Sequence, residues 1–551
     1  MTQRTGSILS EHMRVTVSTL LVANRGEIAL RIFRACRDAG IATVAVVAPD
    51  DHGSLHARSA DETIEIASYL DAGEHVRAAR EANADAVHPG YGFLAESAEL
   101  AEAVLGAGLT WIGPPPGALR AGGDKLAAKE TARAAGVPVL PTGTPEAIGF
   151  PLLVKAAAGG GGRGMRVVRS RGELDDAVAS AQREAVFAFR DETVFFERYL
   201  ERPRHVEIQL LADRHGNVVA LGERECSVQR RHQKVLEESP SPALDPALRA
   251  QMSDAAVAFA RAIGYESAGT AEFVLDGRDF YFLELNARIQ VEHPVTELVT
   301  GVDLVREQLR IANGDELARD CYLHGHAVEV RLYAEDPRTF LPQAGLIERL
   351  RLPEGIRVDA GVEQGDEIGT SYDPMIAKLI AHGPTRDDAL DRLADALAET
   401  EVAGLTTNLP FLRWLVAHPL VRAGQTTTAF LAENPPLSPA PVRAPAPAWS
   451  GAWRLNLPAP PPQAPPNVDA AALDHRPGGE QSAVLAPMPG TVIKVLVAAG
   501  DLVSARRPLV VLEAMKMETP LLSPYDATVK AVHVAEGDRV AGGALLVELE
   551  E

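Results

Sequence analysis

The chain has 551 residues, with 75 Asp+Glu against 54 Lys+Arg and a formal net charge of −21. Its length bounds a multi-domain protein with room for several cores, and its acidity argues against nucleic acid or an anionic membrane as partner. Three widely spaced cysteines, Cys36, Cys226 and Cys321, make neither a disulfide framework nor a zinc site and suit a reducing cytoplasm, and no apolar run approaches the roughly 20 residues of a membrane span.

The first eighteen residues lack a sustained apolar core before a small-residue cleavage site, so no secretory signal is expected. Residues 1–14 read as a disordered tail, with Met13 an alternative start. From Val15 the pattern is a buried strand at Leu20 to Ala23, a turn at Asn24-Arg25-Gly26, a helix from Glu27 to Ala39 stopped by Gly40, and a strand from Ala42 to Val47. This is a βαβ unit opening a parallel sheet, which many nucleotide enzymes and non-enzymes share. The next segment, His88-Pro89-Gly90-Tyr91-Gly92-Phe93-Leu94, sets two glycines and a proline around an aromatic, and an ordinary tight loop would look the same.

After the apolar run Pro151 to Val154 come Lys155, three alanines, four glycines (Gly159 to Gly162), Arg163-Gly164-Met165 and the strand-like Arg166-Val167-Val168. Four successive glycines offer no side chain to bury and cost backbone entropy, but they present bare N–H groups that can fold over a phosphate chain. The order strand, lysine, glycines, strand is not a Walker loop, which needs Gly-Lys-Ser/Thr opening a helix; a flexible linker is the alternative. Farther on, Glu272 lies in the strand Ala271 to Val274, the turn Asp276-Gly277 follows, and the returning strand Phe280 to Asn286 puts Glu284 and Asn286 on one face, two residues apart. Three oxygen ligands within one hairpin suit a hard cation such as Mg²⁺. Arg288, Gln290 and Glu292 extend that polar cluster.

From Pro435 to Ser482 the sequence becomes Pro- and Ala-rich, with 13 prolines. A tether of that composition spans on the order of 150 Å if fully polyproline II. The last segment is an internal repeat. Pro487, Thr491-Val492, Gly500-Asp501, Val503, Leu509 and Leu512-Glu513 recur as Pro524, Thr528-Val529, Gly537-Asp538, Val540, Leu546 and Leu549-Glu550, each offset by 37 residues, as 491 to 528. Two short-strand, Gly-Asp-turn units read as halves of a small all-β domain. Lys516, in Ala514-Met515-Lys516-Met517, lies just after the first copy. A solvated surface lysine would also fit there, but the chain holds only eight lysines among its 54 basic residues. A lysine amine can be acylated where a guanidinium cannot.

Ala-Met-Lys-Met within this repeat resembles the biotinyl carrier domain, whose central lysine carries biotin. The lipoyl domain shares the fold but has Asp before its lysine, where this chain has Met515. The Gly-rich loop with Lys155, the segment Glu223 to Lys234, and Arg288 to Glu292 followed by His293-Pro294-Val295-Thr296-Glu297 resemble a biotin carboxylase of the ATP-grasp superfamily. Together they resemble the α subunit of a biotin-dependent acyl-CoA carboxylase.

The resemblance implies an α/β multi-domain fold: a Rossmann-like N-terminal domain (15–124), an ATP-grasp domain with lid (125–325), a mixed α+β C-terminal carboxylase domain (326–434), the linker (435–482) and an all-β biotinyl sandwich (483–551). It implies that Lys125, Lys155, Gly160, Gly161, Gly162, Glu197, Leu200, His205, Gln229 and His232 hold ATP, and that Glu272, Glu284 and Asn286 hold magnesium or manganese. Lys234, Arg288, Gln290 and Val291 would seat bicarbonate, which Glu292 would deprotonate for attack on the γ-phosphate. Arg331 would stabilise the biotin enolate, with Tyr91 nearby, and biotin would be covalent on Lys516. Implied partners are a biotin protein ligase, further copies of the carboxylase part and a carboxyltransferase (β) subunit. An inactive carboxylase region presenting biotin, or an acceptor such as pyruvate or urea, are the alternatives. Two departures stand out, Ala287 in place of a family Thr and Ala157-Ala158 in place of a longer Ser/Gly run, from which altered lid dynamics are expected. Between Pro435 and Ser482 there is also no room for the folded bridging domain by which such α subunits often dock their partner.

Overall fold

The structure, a computed structural model, describes residues 17–157, 165–189, 192–230, 233–317, 322–436, 483–487, 490–514, 517–540 and 543–550. The expected tail, nearly all of the Pro-rich stretch, the glycines Gly159 to Gly162, His232, Cys321 and Lys516 lie outside them. The chain forms two compact units. One comprises Met1–Glu329 with Ile380–Arg392 and Gly424–Leu431; the other comprises Val330–Leu379, Leu393–Ala423 and Ala432–Glu551.

The first unit opens with β1 (Thr19–Val22), α1 (Gly26–Asp38), β2 (Ala42–Val47), β3 (Glu62–Glu65), β4 (Ala86–His88) and β5 (Thr110–Trp111). The strands pair in parallel in the order β3-β2-β1-β4-β5. Leu20, Leu21 and Val22 are all fully buried, as a strand covered on both faces requires. α1 starts and ends one residue before the sequence pattern places it, and Gly40 beyond it takes a φ of +70°, the left-handed position that closes a helix.

His88, at the end of β4, is fully buried. Its Nδ1 accepts from Gly90 N–H (3.0 Å), so its proton sits on Nε2, 3.2 Å from Gln308 Oε1. Burial pushes its pKa down to about 4, and an unfolded His titrates near 6.5. The unfolded chain therefore binds a proton between these values that the fold refuses. Stability from this residue is complete above pH 6.5 and falls as pH drops toward 4, by on the order of 3 kcal/mol in all. Denaturant midpoints at pH 7 and pH 5 are expected to lie farther apart in wild type than in His88→Asn.

A small sheet follows, with β6 (Thr142–Gly143), β7 (Leu152–Ala156), β8 (Arg166–Val168) and β9 (Val194–Arg198) in the order β6-β9-β7-β8. Lys155 lies inside β7, so a lysine-bearing strand leads into the glycines and a second strand leaves them, as expected. A larger antiparallel sheet takes β10 (Arg204–Ala212), β11 (Val218–Arg230), β12 (Gln233–Ser239), β13 (Ser267–Asp276) and β14 (Asp279–Asn286) in the order β14-β13-β10-β11-β12, with the start of β15 (His326–Tyr333) beside β12. One apolar core joins this sheet to the N-terminal one, running from Leu20, Ile28, Ile32 and Phe33 through Leu211, Leu221 and Ala268 to Leu304 and Leu309.

In the second unit two short strand pairs, Gly345–Leu346 with Glu367–Ile368 and Arg349–Arg351 with Glu401–Ala403, are antiparallel. The C-terminal β domain realises its repeat as a two-fold. Gly500 N–H donates to the Val529 carbonyl and Gly537 N–H to that of Val492, both at 2.7 Å; Val529 N–H donates to the Asp501 carbonyl and Val492 N–H to that of Asp538, both at 2.8 Å. Leu509 and Leu512 meet Leu546 and Leu549 in one core, so neither copy buries its apolar face alone. Lys494 and Lys530, both here, are exposed. Among the described residues no helix is long and apolar enough to cross a membrane.

Candidate active site

The site is a ladder drawn across the large sheet. Side chains two apart on a strand share a face, so His205, Glu207 and Gln209 of β10 point one way. Register then aligns Glu284 of β14 with Glu272 of β13, Glu272 with Glu207, and Glu207 with Arg224 of β11. Three carboxylates and a guanidinium thus lie side by side on four strands. Like charges directly opposite one another are destabilising unless cations come between them.

Two cations do. Lys234 Nζ donates to Glu207 Oε2, to Glu272 Oε1 (2.7 Å) and to Glu292 Oε1 (2.6 Å). Its ammonium is held well above the ordinary lysine range, because these three carboxylates outweigh the burial that opposes charge. Arg224, with no exposed surface, donates through Nε to Glu207 Oε1, through one terminal nitrogen to Gln209 Oε1 (2.7 Å) and Thr296 Oγ1 (2.9 Å), and through the other to Thr270 Oγ1 and Gln290 Oε1 (both 3.1 Å). All five guanidinium donors are used. Because Gln290 Oε1 accepts from Arg224, its Nε2 is turned toward Glu272 Oε1, 3.0 Å away.

At the other end of the ladder the charge is less well offset. Glu284 is pushed above the usual carboxylate range, by burial first and then by the negative Glu272 opposite it, with Lys125 opposing. Burial also acts on Glu272, but Lys234 and His205, whose Nε2 is 3.1 Å from Glu272 Oε2, hold it well below that range. Asn286 Nδ2 donates to Glu272 Oε1 (2.7 Å), and its Oδ1 accepts from Arg288 (3.1 Å). Two opposed carboxylates and an amide oxygen fit a divalent hard cation, which would offset the repulsion that raises Glu284.

A second polar group is built by β7, β9 and the helix Lys125–Ala134, whose first turn is capped by Asp124 Oδ1 accepting from Leu126 and Ala127 N–H, both at 3.0 Å. Lys155 and Glu197 are diagonal neighbours on β7 and β9. The fully buried Glu197 accepts from Lys155 Nζ (2.5 Å) and from Lys129 Nζ. Gln229 Nε2 is 2.9 Å from His205 Nδ1. Leu200 is half-buried just past β9.

The loop after β4 closes another side. Asn24 Nδ2 donates to the carbonyls of Pro89 and Tyr91, both at 2.7 Å. Gly90 has φ +63°, and a Cβ there would stand 2.9 Å from Asn24 Nδ2, so glycine is required. Tyr91 is half-buried and donates to the buried Glu27. Glu96 Oε2 is 3.3 Å from Arg288 Nε, and Glu96 Oε1 accepts from Ala287 N–H (3.0 Å).

The structure therefore gathers Lys234, Glu272, Glu292, Gln290, Asn286, Arg288, His205 and Gln229 into one cluster, with Lys155 and Glu197 paired on the small sheet. Val291 lies between Gln290 and Glu292. Arg331 is on the part of β15 in the second unit, where Asn408 Nδ2 donates to its carbonyl (3.0 Å). Gly160, Gly161, Gly162, His232 and Lys516 fall outside the described residues; Ala514 pairs with Met517, and Met515 and Lys516 join them in sequence. Sequence reasoning gave no role to Glu207, Arg224, Lys129, Glu96 or Glu27. The alternation His205, Glu207, Gln209 within an apolar strand was the one readable signal.

Four family models match in succession: "Biotin carboxylase, N-terminal domain" over residues 16–119, "Carbamoyl-phosphate synthase L chain, ATP binding domain" over 124–320, "Biotin carboxylase C-terminal domain" over 329–433, and "Biotin-requiring enzyme" over 482–549. The biotin-dependent acyl-coenzyme A carboxylase alpha3 subunit of Mycobacterium leprae is 42% identical over 93% of this chain and 95% of its own length. A pyruvate carboxylase subunit of Methanothermobacter thermautotrophicus is 48% identical over 76% of this chain and 90% of its own. Among solved structures, the dimeric biotin carboxylase domain of the Hydrogenobacter thermophilus 2-oxoglutarate carboxylase, in complex with MgADP, ADP and bicarbonate, is 43% identical with a TM-score of 0.75 over 76% of this chain and 98% of its own. The fold is that of biotin carboxylase, with a parallel-sheet N-terminal domain, an ATP-grasp domain, a C-terminal domain and an all-β biotinyl domain at the end. The chain belongs to the family of biotin-dependent carboxylase α subunits, biotin carboxylases joined to a biotinyl domain on one polypeptide.

Proposed function

We propose that the chain carboxylates biotin held on its own Lys516, using MgATP and bicarbonate, and that a separate carboxyltransferase subunit passes the carboxyl group to an acyl-CoA. The observation that carries this is the gathering of Glu292, Glu272 and Glu207 on the Lys234 ammonium, beside Gln290 and Arg288. Lys125 and Lys155 supply point charges for the phosphates, and Arg288, Gln290 and Lys234 seat bicarbonate. Glu292 takes the bicarbonate proton, and the oxygen so freed attacks the γ-phosphate and displaces ADP, giving carboxyphosphate. This breaks down to CO₂ and phosphate, the phosphate takes the ureido proton of biotin, and the ureido nitrogen adds to the CO₂. Arg331 and Tyr91 keep the roles toward biotin that the resemblance implies. Glu272, Glu284 and Asn286 would hold magnesium, or manganese in its place, which when bound neutralises charge developing on the phosphates. Arginine serves oxyanions here because it cannot give up a proton.

An acyl-CoA acceptor is favoured by the mycobacterial relative, of which this chain covers 95% from carboxylase to biotinyl domain. Relatives named for pyruvate and 2-oxoglutarate make a keto acid the second reading. Co-purification of the native partner decides between them, since a partner without a CoA site would overturn the first. For the half-reaction, labelled bicarbonate with MgATP and no acyl-CoA is expected to label the biotinylated wild type and leave Lys516→Arg unlabelled. A biotinylated wild type that takes up no label would overturn the proposal.

A further inference from the structure

Lys129 lies outside every motif the sequence offers, yet it is 2% exposed and holds Glu197, itself 0% exposed, together with Lys155. It stands one helical turn beyond Lys125, so both project from one face of their helix toward the nucleotide side. One carboxylate therefore carries two ammoniums. Yet only one of the two lysines, Lys155, adjoins the Gly-rich loop. If Lys155 turns to the phosphates, Glu197 loses a partner. A buried carboxylate left alone is costly, and that cost would be subtracted from nucleotide affinity. With Lys129 in place, Glu197 stays paired.

We infer that Lys129 is a positioning residue of the nucleotide site, the counter-ion that keeps Glu197 paired when Lys155 is given up to the phosphates of ATP. The inference rests on the ATP-dependent reading above. It is also specific: the effect belongs to ligands with a β- and γ-phosphate and is absent for adenosine. The same arrangement recurs at the other substrate lysine. Lys234 shares Glu207 with the fully buried Arg224, so that carboxylate too keeps a partner when Lys234 turns toward bicarbonate.

The test compares dissociation constants for MgATP and for adenosine on the full biotinylated chain. Lys129→Met is expected to weaken MgATP by roughly tenfold or more, while adenosine affinity and the bicarbonate KM hold. Lys129→Arg is expected to stay close to wild type. On a Glu197→Gln background, where the charge that needs pairing is already absent, adding Lys129→Met is expected to change MgATP affinity by less than about threefold. Unchanged MgATP binding in Lys129→Met, an equal loss for adenosine, or a loss on the Glu197→Gln background as large as in the wild-type background overturns the inference. Should Lys129→Met not fold, Glu197→Gln and Lys129→Met/Glu197→Gln are compared instead. They are expected to agree within about threefold, and a tenfold difference overturns the inference. A wild type that binds no MgATP would instead overturn the underlying reading of the site.

Discussion

Arg224→Met is expected to cost the carboxylase unit on the order of 3–5 kcal/mol of unfolding free energy, because it removes one partner of a buried ion pair and strands the other. The guanidinium has no exposed surface and satisfies Glu207, Gln209, Thr270, Thr296 and Gln290 at once. Methionine fills much of the volume but makes none of these bonds, so four buried polar groups and one carboxylate lose a partner. The ladder also worsens locally, since Glu207 would then share Lys234 with Glu272 and Glu292 and have no second cation. The measurement is the urea midpoint, read alongside Arg224→Lys, which keeps the charge but not the five-pronged geometry and is expected to fall between. A midpoint for Arg224→Met within experimental error of wild type would show that the hub contributes nothing net.

The second large effect is on rate. Glu292→Gln is expected to reduce biotin carboxylation roughly 10²–10⁴-fold, the range that a positioned general base supplies. Glutamine keeps an oxygen that can accept from Lys234, 2.6 Å from the present carboxylate, so folding and MgATP binding are expected to survive. Stopped-time assays of label transfer from bicarbonate, with MgATP affinity measured on the same preparation, separate the two. Activity within a few-fold of wild type would remove Glu292 from the role of base.

Part of this site is local in sequence and part is not. The hairpin of Glu272, Glu284 and Asn286 could be read directly, because a short turn fixes which strand residues face one another, and the structure pairs Glu272 with Glu284. The repeat at 37-residue spacing likewise carried its own geometry. Glu207, Arg224 and Lys129 could not be read, since each acquires its role from registers between strands and helices far apart in the chain, as Glu207 does from lying between Glu272 and Arg224. A buried charge inside an apolar strand is the trace such residues leave, and a strand with alternating polar residues leaves the same trace without a site. The helix boundaries of α1 shifted by one residue because helix ends are set by capping geometry rather than by apolar spacing.

The distribution of lysines has a practical consequence. Lys129 and Lys378 are buried, Lys155 and Lys234 are largely covered and engaged with carboxylates, and the described lysines that stand in solvent, Lys494 and Lys530, are both on the C-terminal β domain. Among the described lysines, amine-directed reagents, whether fluorescent esters or cross-linkers, thus meet their most exposed targets on the C-terminal β domain, while Lys125 on the carboxylase is half-buried. A dye coupled to these two lysines labels that domain, with no engineered cysteine needed.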